Sequence, residues 1–309
     1  MVYIDVLREP CNERSMVLLS EENAIQYLIE SGRLSVNKKC AKCEDSMKII
    51  NSNNHLNKKI YYCRNRECRF SKPIFYGLRI NTPRIPISTY LLAVYKWIEN
   101  VYEKDILRNL NISKASYQKI KSHLLNFSQE QNSYLEKEKL GGLNKKVQVD
   151  ETAIFHGKLD KCPSNTADET PGLIWLVGLI EPETGKIHLE NRSSITMINI
   201  FRKYIHNGTT VVTDGFRSYP SAVASIEGIH IIVNHSLGFR NRDGFHTNNI
   251  ENLWSILKYE IKKRRGILRS NIEIFLNEFK MKYNLSRKRT SDEIFYLWNV
   301  LVDYLFKDE

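Results

Sequence analysis

Two close pairs of cysteines have the spacing of a metal site. Cys40 and Cys43 form a C-x2-C pattern, and Cys63 and Cys68 form a C-x4-C pattern further along the chain. Each pair can bind one ion from a tight turn, and four thiolates complete the tetrahedron that Zn²⁺ adopts in structural sites. The spacing predicts a structural zinc ion; four unrelated free thiols are the alternative.

Three carboxylates occupy positions that an α/β arrangement would bring together. Asp150 is expected to end or interrupt a strand that starts at Val147, Asp214 follows the strand-like run ending at Thr213, and Glu251 lies at the start of a helix. Such a set can hold two Mg²⁺ or Mn²⁺ ions and so catalyse phosphodiester chemistry. Taken singly, each acidic residue could equally be a turn former or a helix cap.

Other polar side chains accompany this set. Lys258 follows Glu251 by two helical turns, so both share one face, where a cation can contact a DNA phosphate or simply be solvated. His246 and Asn248 can orient Glu251 or touch DNA, while capping by Thr247 and Asn248 is an equal alternative. His235 is a further supporting candidate, with a packed structural histidine as the alternative, and Trp254 is expected in the core or on a stacking surface.

Positive charge is concentrated in two blocks. The net charge is +11, and residues 31–140 carry 21 Lys and Arg against 9 Asp and Glu, whereas residues 252–290 carry 11 against 3. Two basic blocks around an acidic remainder indicate a polyanion such as double-stranded DNA, although a lysine-rich solvated surface would look similar. The side chains expected on the DNA backbone are Arg240, Arg242, Lys262, Lys263, Arg264, Arg265 and residues 287–289.

A second DNA-binding candidate lies between residues 105 and 120. A helical run up to Leu110, a break at Asn111 and a second run capped by Ser113 resemble helix, tight turn and helix. This would expose Lys114, Ser116, Tyr117 and Gln118 on the first turns of a recognition helix. A plain helical hairpin would give the same pattern.

The elements that must position these residues divide the chain into five segments. We predict an N-terminal helical segment (1–35), a zinc ribbon (36–82), a helical helix-turn-helix-like domain (83–140), an α/β catalytic domain (141–290) and a C-terminal helix (291–309). Strands, a hairpin at Glu181–Gly185, and then alternating helices and strands indicate a mixed sheet with flanking helices.

Composition excludes several classes of protein. With 309 residues, 42% hydrophobic and 26% charged, the chain is neither disordered nor fibrous. Six cysteines are too few for a disulfide scaffold and suit a reducing compartment, and Cys11 and Cys162 are expected to pack as small apolar side chains. The longest apolar stretch, Gly172–Ile180, is about half of a bilayer crossing, and no signal-peptide layout is visible, so we expect a soluble protein without a membrane partner.

These motifs resemble the Merlin-type DDE transposases of eukaryotes and their bacterial insertion-sequence relatives with the ISXO2-like domain. The resemblance runs from Cys40 to Tyr283 and is most specific at Val147–Glu151, at Thr213–Tyr219, and at His246–Trp254 with Lys258. It implies a ribonuclease-H-like fold, with Asp150, Asp214 and Glu251 as the metal-binding triad. It also implies cleavage at terminal inverted repeats and transfer of the 3′-hydroxyl into target DNA.

The resemblance leaves other functions open. A domesticated protein could bind DNA without cutting it, and a simpler nuclease of the same fold could hydrolyse DNA without joining it. Because two transposon ends must be brought together, we expect a homodimer or a higher oligomer. The spacing of the second cysteine pair favours the eukaryotic branch and therefore a nucleus, with cytoplasm or nucleoid if the protein is bacterial.

Overall fold

The protein consists of two compact units. The computed structural model describes residues 19–80, 85–156, 172–192, 195–233, 245–288 and 290–306. The first unit contains the described residues up to Phe127 together with those from Lys288 onward, and the second contains Ser128 to Arg287. Among the described residues, no helix combines the length and the apolarity that a membrane crossing requires.

The first unit begins with a short helix and a small sheet. Helix α1 (Glu21–Glu30) starts after Ser20, whose Oγ accepts the N–H of Asn23 at 3.2 Å and so caps the helix. The strands are β1 (Lys38–Lys39), β2 (Ser46–Asn51), β3 (Lys59–Cys63) and β4 (Ser71–Pro73). They pair in the order β1-β2-β3-β4, and every pairing is antiparallel.

Helices follow this sheet. They are α2 (Ile87–Ile98), α3 (Glu103–Leu110) and α4 (Lys114–Leu135), whose residues up to Phe127 belong to the first unit. Asn111 ends α3 in the left-handed region with φ 49°, and Ser113 Oγ accepts the N–H of Ser116 at the start of α4. The predicted break and cap between these two helices are therefore confirmed.

The second unit is built on a mixed five-stranded sheet. Its strands are β5 (Lys146–His156), β6 (Gly172–Ile180), β7 (Ile187–Asn191), β8 (Thr210–Thr213) and β9 (Ile229–Ile232), in the order β7-β6-β5-β8-β9. The β5–β6 and β6–β7 pairs are antiparallel, whereas β8 runs parallel to β5 and β9 parallel to β8. The predicted mixed sheet is thus present.

Helices cover both faces of this sheet because its side chains alternate between the two faces. Val147 and Val149 belong to the apolar cluster that includes α5 (Met197–Tyr204) and α6 (Tyr219–Ala224). Ile154 belongs to the opposite cluster, which includes α7 (Asn248–Lys263) and α8 (Ile272–Leu285). Even-numbered positions near the start of β5 therefore face α7.

The C-terminal helix α9 (Ser291–Leu305) belongs to the first unit, although it follows the second in sequence. Its buried face includes Trp298, Leu301 and Leu305, all with no exposed surface. The indole N–H of Trp298 donates to the carbonyl of Leu91 at 3.3 Å. Helix α9 therefore completes the core of the unit that contains the cysteines.

Candidate metal and DNA sites

The four paired cysteines converge at the turns of the small sheet. Their Sγ atoms all lie within 4.8 Å of one another, with 3.7 Å between Cys40 and Cys68 and 3.4 Å between Cys43 and Cys63. Four sulfurs at about 2.3 Å from a tetrahedral zinc ion would be roughly 3.8 Å apart. The cluster therefore has the ligands and nearly the spacing of a closed structural site, as predicted.

The electrostatics of the four thiols also favour a cation. Burial opposes ionisation of Cys40, but backbone N–H groups and the neighbouring thiols lower its pKa to about 7. For Cys43 the hydrogen bond from the backbone of Asp45 lowers the pKa, yet burial and the other three thiols raise it to about 12. Ionisation of one thiol therefore disfavours ionisation of the others. A bound dication would stabilise the thiolate form of all four.

Neighbouring parallel strands position the two aspartates. Gln148 of β5 pairs with Val212 of β8, and Asp150 and Asp214 each lie two residues further along the chain from this pair. Asp150 neither ends nor interrupts its strand, contrary to one expectation, because β5 continues to His156 by pairing with β6. Asp214 does follow the end of β8, and its Oδ1 accepts the N–H of Phe216 at 3.2 Å.

The N-terminus of α7 brings Glu251 to the same edge. The amide of Gln148 joins strand and helix, since its Oε1 accepts the N–H of Ile250 at 3.1 Å and its Nε2 donates to the carbonyl of His246 at 2.8 Å. The hydroxyl of Thr247 donates to Oε1 of Glu251 at 2.8 Å. Thr247 is the N-cap residue but makes no side-chain capping bond, so its hydroxyl holds the carboxylate and not the helix backbone.

Gln148 is a site residue that sequence reasoning missed. It is only 3% exposed, within an otherwise apolar strand start between Val147 and Val149. A buried amide requires hydrogen-bond partners, so its presence in such a strand was the available signal. The sequence did not show that those partners lie a hundred residues away on α7.

Burial and two neighbouring carboxylates affect the pKa of Asp150. Burial is the largest cause that raises the pKa of Asp150, and the negative charges of Asp214 and Glu251 raise it further. Hydrogen bonds from the backbone of Glu151 and the indole of Trp254 act in the opposite direction. Carboxylate groups whose negative charges raise the pKa of a neighbour at a sheet edge are suitable ligands for a hard divalent cation.

This carboxylate set is less tightly assembled than the cysteine cluster. Within the described ranges, the four cysteines are the only group of three or more potential ligands that lie within 4.8 Å of one another. Asp150 is partly buried, whereas Asp214 and Glu251 are exposed. The carboxylate edge is therefore open to solvent, as a site that admits a large substrate must be.

Next to Asp150 in sequence, Glu151 forms an ion pair with Arg192. Arg192 binds Oε2 of Glu151 through Nη1, and its guanidinium lies over the ring of Phe216 at 5.3 Å from the centroid. Burial is the main cause that raises the pKa of Glu151, and Arg192 opposes it. Sequence reasoning did not single out Arg192, because nothing local connects it with a carboxylate on β5.

The predicted DNA-contacting residues of α7 have different environments. Lys258 and Lys262 are exposed on the helix that carries Glu251. Arg264 is a correction: its guanidinium donates to both carboxylate oxygens of Glu278, at 3.0 and 2.9 Å, so it is engaged within the protein. Lys263 is partly buried and Arg265 exposed. His235, Arg240 and Arg242 lie outside the described residues.

The predicted recognition helix is also only partly accessible. Lys114 and Gln118 are exposed and Ser116 is partly exposed, but Tyr117 is 2% exposed and packs into the core. The expected DNA contact by Tyr117 is therefore wrong, because its side of α4 is the apolar side. At the start of α7, Asn248 is exposed, and its backbone N–H donates to Nδ1 of His246 at 3.3 Å.

Sequence comparisons relate part of this chain to transposases. Residues 142–284 match the profile of the family described as the ISXO2-like transposase domain. A protein of Haemophilus influenzae described as an uncharacterized transposase-like protein is 32% identical over 104 residues, which are 34% of this chain and 83% of the relative.

Among the solved structures that match is the cryo-EM structure of the simian T-cell lymphotropic virus intasome in complex with PP2A regulatory subunit B56 gamma. The alignment has a TM-score of 0.30 and 13% identity, and it covers 48% of this chain. The chain spans 50% of the length of that matched chain.

Proposed function

Since the chain belongs to the DDE transposase family with the ISXO2-like domain, we propose that it is a DNA transposase that cleaves and joins DNA at its own element's ends. It binds the terminal inverted repeats, hydrolyses the phosphodiester bond and transfers the 3′-hydroxyl into target DNA. The observation that carries this proposal is geometric: the parallel register of β5 and β8, and the hydrogen bonds from Gln148 to the start of α7, bring Asp150, Asp214 and Glu251 to one edge of the sheet.

The order of the strands supports a ribonuclease-H-like assignment for the second unit. The three antiparallel strands β5, β6 and β7 are followed by β8 and β9, which extend the sheet on the other side of β5 and run parallel to it. In this arrangement Asp150 lies on the central strand, Asp214 follows the end of its parallel neighbour, and Glu251 lies on the helix packed against them.

We assign Mg²⁺ or Mn²⁺ to Asp150, Asp214 and Glu251, and Zn²⁺ to the four cysteines. Two divalent cations at the carboxylates would lower the pKa of an attacking hydroxyl and stabilise the leaving oxygen. The protein's own residues orient the ligands: Gln148 ties α7 to β5, and Thr247 holds one oxygen of Glu251. Lys258, exposed on α7, contributes a positive charge for the DNA phosphate.

Exposed basic residues supply the sequence-independent part of DNA binding. Lys114, Lys258, Lys262 and Arg265 are exposed, and together such side chains make affinity steeply dependent on salt. The protein acts as a homodimer or a higher oligomer because two ends must be held together. We place this activity in a nucleus, with the nucleoid as the bacterial equivalent.

The experiment is a cleavage and joining assay on DNA that carries the element's flanking inverted repeats, with and without Mg²⁺. The variant Asp214→Asn is run alongside, because it removes an anionic ligand with almost no change in volume. Cleavage and joining by the wild type alone support the proposal. Tight binding without cleavage by either protein would instead indicate a domesticated DNA-binding protein, and cleavage without joining a simpler nuclease.

A further inference from the structure

A glycine on the strand next to Asp150 makes room for a tryptophan. Gly178 of β6 pairs directly with Asp150. A Cβ atom at Gly178 would lie 2.4 and 2.6 Å from the Cη2 and Cζ2 atoms of Trp254, and 3.0 Å from Cδ1 of Ile250. These distances are far below van der Waals contact, so any other residue at this position would displace the indole ring.

The ring admitted by Gly178 makes one specific polar contact. Trp254 is 5% exposed, and its Nε1 donates to Oδ2 of Asp150 at 2.9 Å. The indole is a donor only, so it cannot itself bind a cation. A charge-assisted hydrogen bond to Oδ2 orients the carboxylate to which the proposed function assigns a divalent cation.

Trp254 also connects the two sides of the site. It lies three residues after Glu251 on α7, and its ring crosses the sheet face to reach β5. The hydrogen bond therefore fixes the position of the helix that carries Glu251 against the strand that carries Asp150. Gln148 makes the corresponding contact one turn earlier, through Ile250.

We propose that Trp254 is a positioning residue for the metal-binding carboxylate Asp150, and that Gly178 is required because it accommodates the tryptophan ring. This inference rests on the proposed function, in which Asp150 holds a divalent cation. An ordinary core role would require only the volume of the ring. A positioning role requires the N–H group, whose loss typically weakens metal binding about 10- to 100-fold.

The first test is Trp254→Phe, which keeps an aromatic ring but removes the donor. Mn²⁺ binding is measured by calorimetry on the zinc-loaded full chain without DNA, well below the unfolding temperature of each variant. We expect Mn²⁺ affinity to fall by about tenfold. The matched control is Trp298→Phe, which removes another buried indole donor, one that binds the carbonyl of Leu91. Equal Mn²⁺ affinities in the two variants would overturn the proposal.

The second test is a double-mutant cycle with Gly178→Ala. Alone, this change should weaken Mn²⁺ binding about as much as Trp254→Phe, because it pushes the indole away from Asp150. In the Trp254→Phe background it should have little further effect, since phenylalanine lacks the two ring atoms that approach Gly178. Additive effects of the two substitutions would contradict a shared role.

Cleavage assays distinguish positioning from packing in a different way. If Trp254 acts through Asp150, saturating Mn²⁺ should restore most of the cleavage rate of Trp254→Phe, whereas a packing defect would persist at every metal concentration. Asp150→Asn separates this inference from the proposed function. If Asp150→Asn leaves Mn²⁺ binding intact, both fail; if it abolishes binding while Trp254→Phe does not alter it, only the role of Trp254 fails.

Discussion

The cysteine cluster and the carboxylate edge differ in how far the fold alone assembles them. In the first unit, short turns bring four Sγ atoms within 4.8 Å of one another. In the second unit, Asp150 is coupled to Asp214 and Glu251 by charge, but among the described residues these carboxylates do not form such a compact group. A closed structural site uses all its coordination positions on protein, whereas a catalytic site must leave positions for water and substrate.

Charge compensation shows the same difference within the second unit. Glu278 is buried, yet Lys282 and Arg264 hold its pKa well below the ordinary value although burial opposes ionisation. Asp150 has two anionic neighbours, and its pKa is raised. Basic side chains of the protein therefore neutralise the charge of Glu278. The charge of Asp150, the candidate catalytic carboxylate, would be neutralised by a bound cation.

The largest effect is expected at the cysteine cluster. Cys40→Ser removes one thiolate ligand, and because binding of structural zinc contributes on the order of 10 kcal/mol of folding energy, the first unit should lose zinc and unfold at a much lower temperature. Zinc content and the unfolding temperature are the measurements, with Cys11→Ser as the control. Stoichiometric zinc in Cys40→Ser would remove Cys40 from the cluster.

Substitution of Asp150 at the carboxylate edge should affect DNA cleavage but not DNA binding. Asp150→Asn is expected to reduce DNA cleavage by at least about a thousandfold, as loss of a catalytic residue commonly does, while DNA binding is retained. Cleavage rates and binding isotherms check this, with the exposed carboxylate of Asp292, on α9, changed to asparagine as the control. Comparable cleavage by Asp150→Asn would refute the metal-binding triad.

Substitution of Glu278, whose charge is neutralised by two basic side chains, should affect the stability of the protein. Glu278→Gln leaves Arg264 and Lys282 without their anion and should lower the free energy of unfolding by about 3 kcal/mol at neutral pH. Because the folded pKa of Glu278 is lowered, its contribution is complete above its unfolded pKa of about 4.3 and is lost as the pH falls through the folded value. Denaturation at several pH values should therefore show the gap to wild type closing in acid. A gap independent of pH would contradict this account.

The smallest effect is expected for Gln148, whose side-chain amide joins β5 to the start of α7. Gln148→Leu leaves the N–H of Ile250 and the carbonyl of His246 without their partner, which should cost about 1–3 kcal/mol of stability. Cleavage should fall about tenfold because Glu251 moves relative to Asp150. The control is Gln26→Leu at an exposed amide on α1. Equal stability of the two variants would show that Gln148 does not hold α7 in place.

Local patterns predicted much of the fold and the convergence of the four cysteines. Cysteine spacing indicated the cluster, and Ser113 indicated a helix start that the structure confirms. Asp214 was correctly expected at a strand end. These predictions succeeded because a cap, a turn and a C-x2-C knuckle depend on interactions within a few residues.

Contacts between distant residues decided the rest. Tyr117 was expected to face DNA but packs inward, because periodicity identifies an apolar stripe without showing which residues border it. Arg264 was expected on DNA but binds Glu278 on the next helix. Gln148 accepts the N–H of Ile250 across 102 residues of sequence, and Trp254 donates to Asp150 across 104. Gly178 leaves the space that the ring of Trp254 occupies.

The sequence by itself determined which residue types are available for zinc, for a divalent cation and for DNA. Only the tertiary structure decided which basic side chains are paired with carboxylates within the protein. It also decided that Asp150 is partly buried and that the indole N–H of Trp254 donates to it. The physical reason is that ligand identity is a property of single side chains, whereas burial, hydrogen bonding and mutual repulsion depend on the neighbours that folding brings to each side chain.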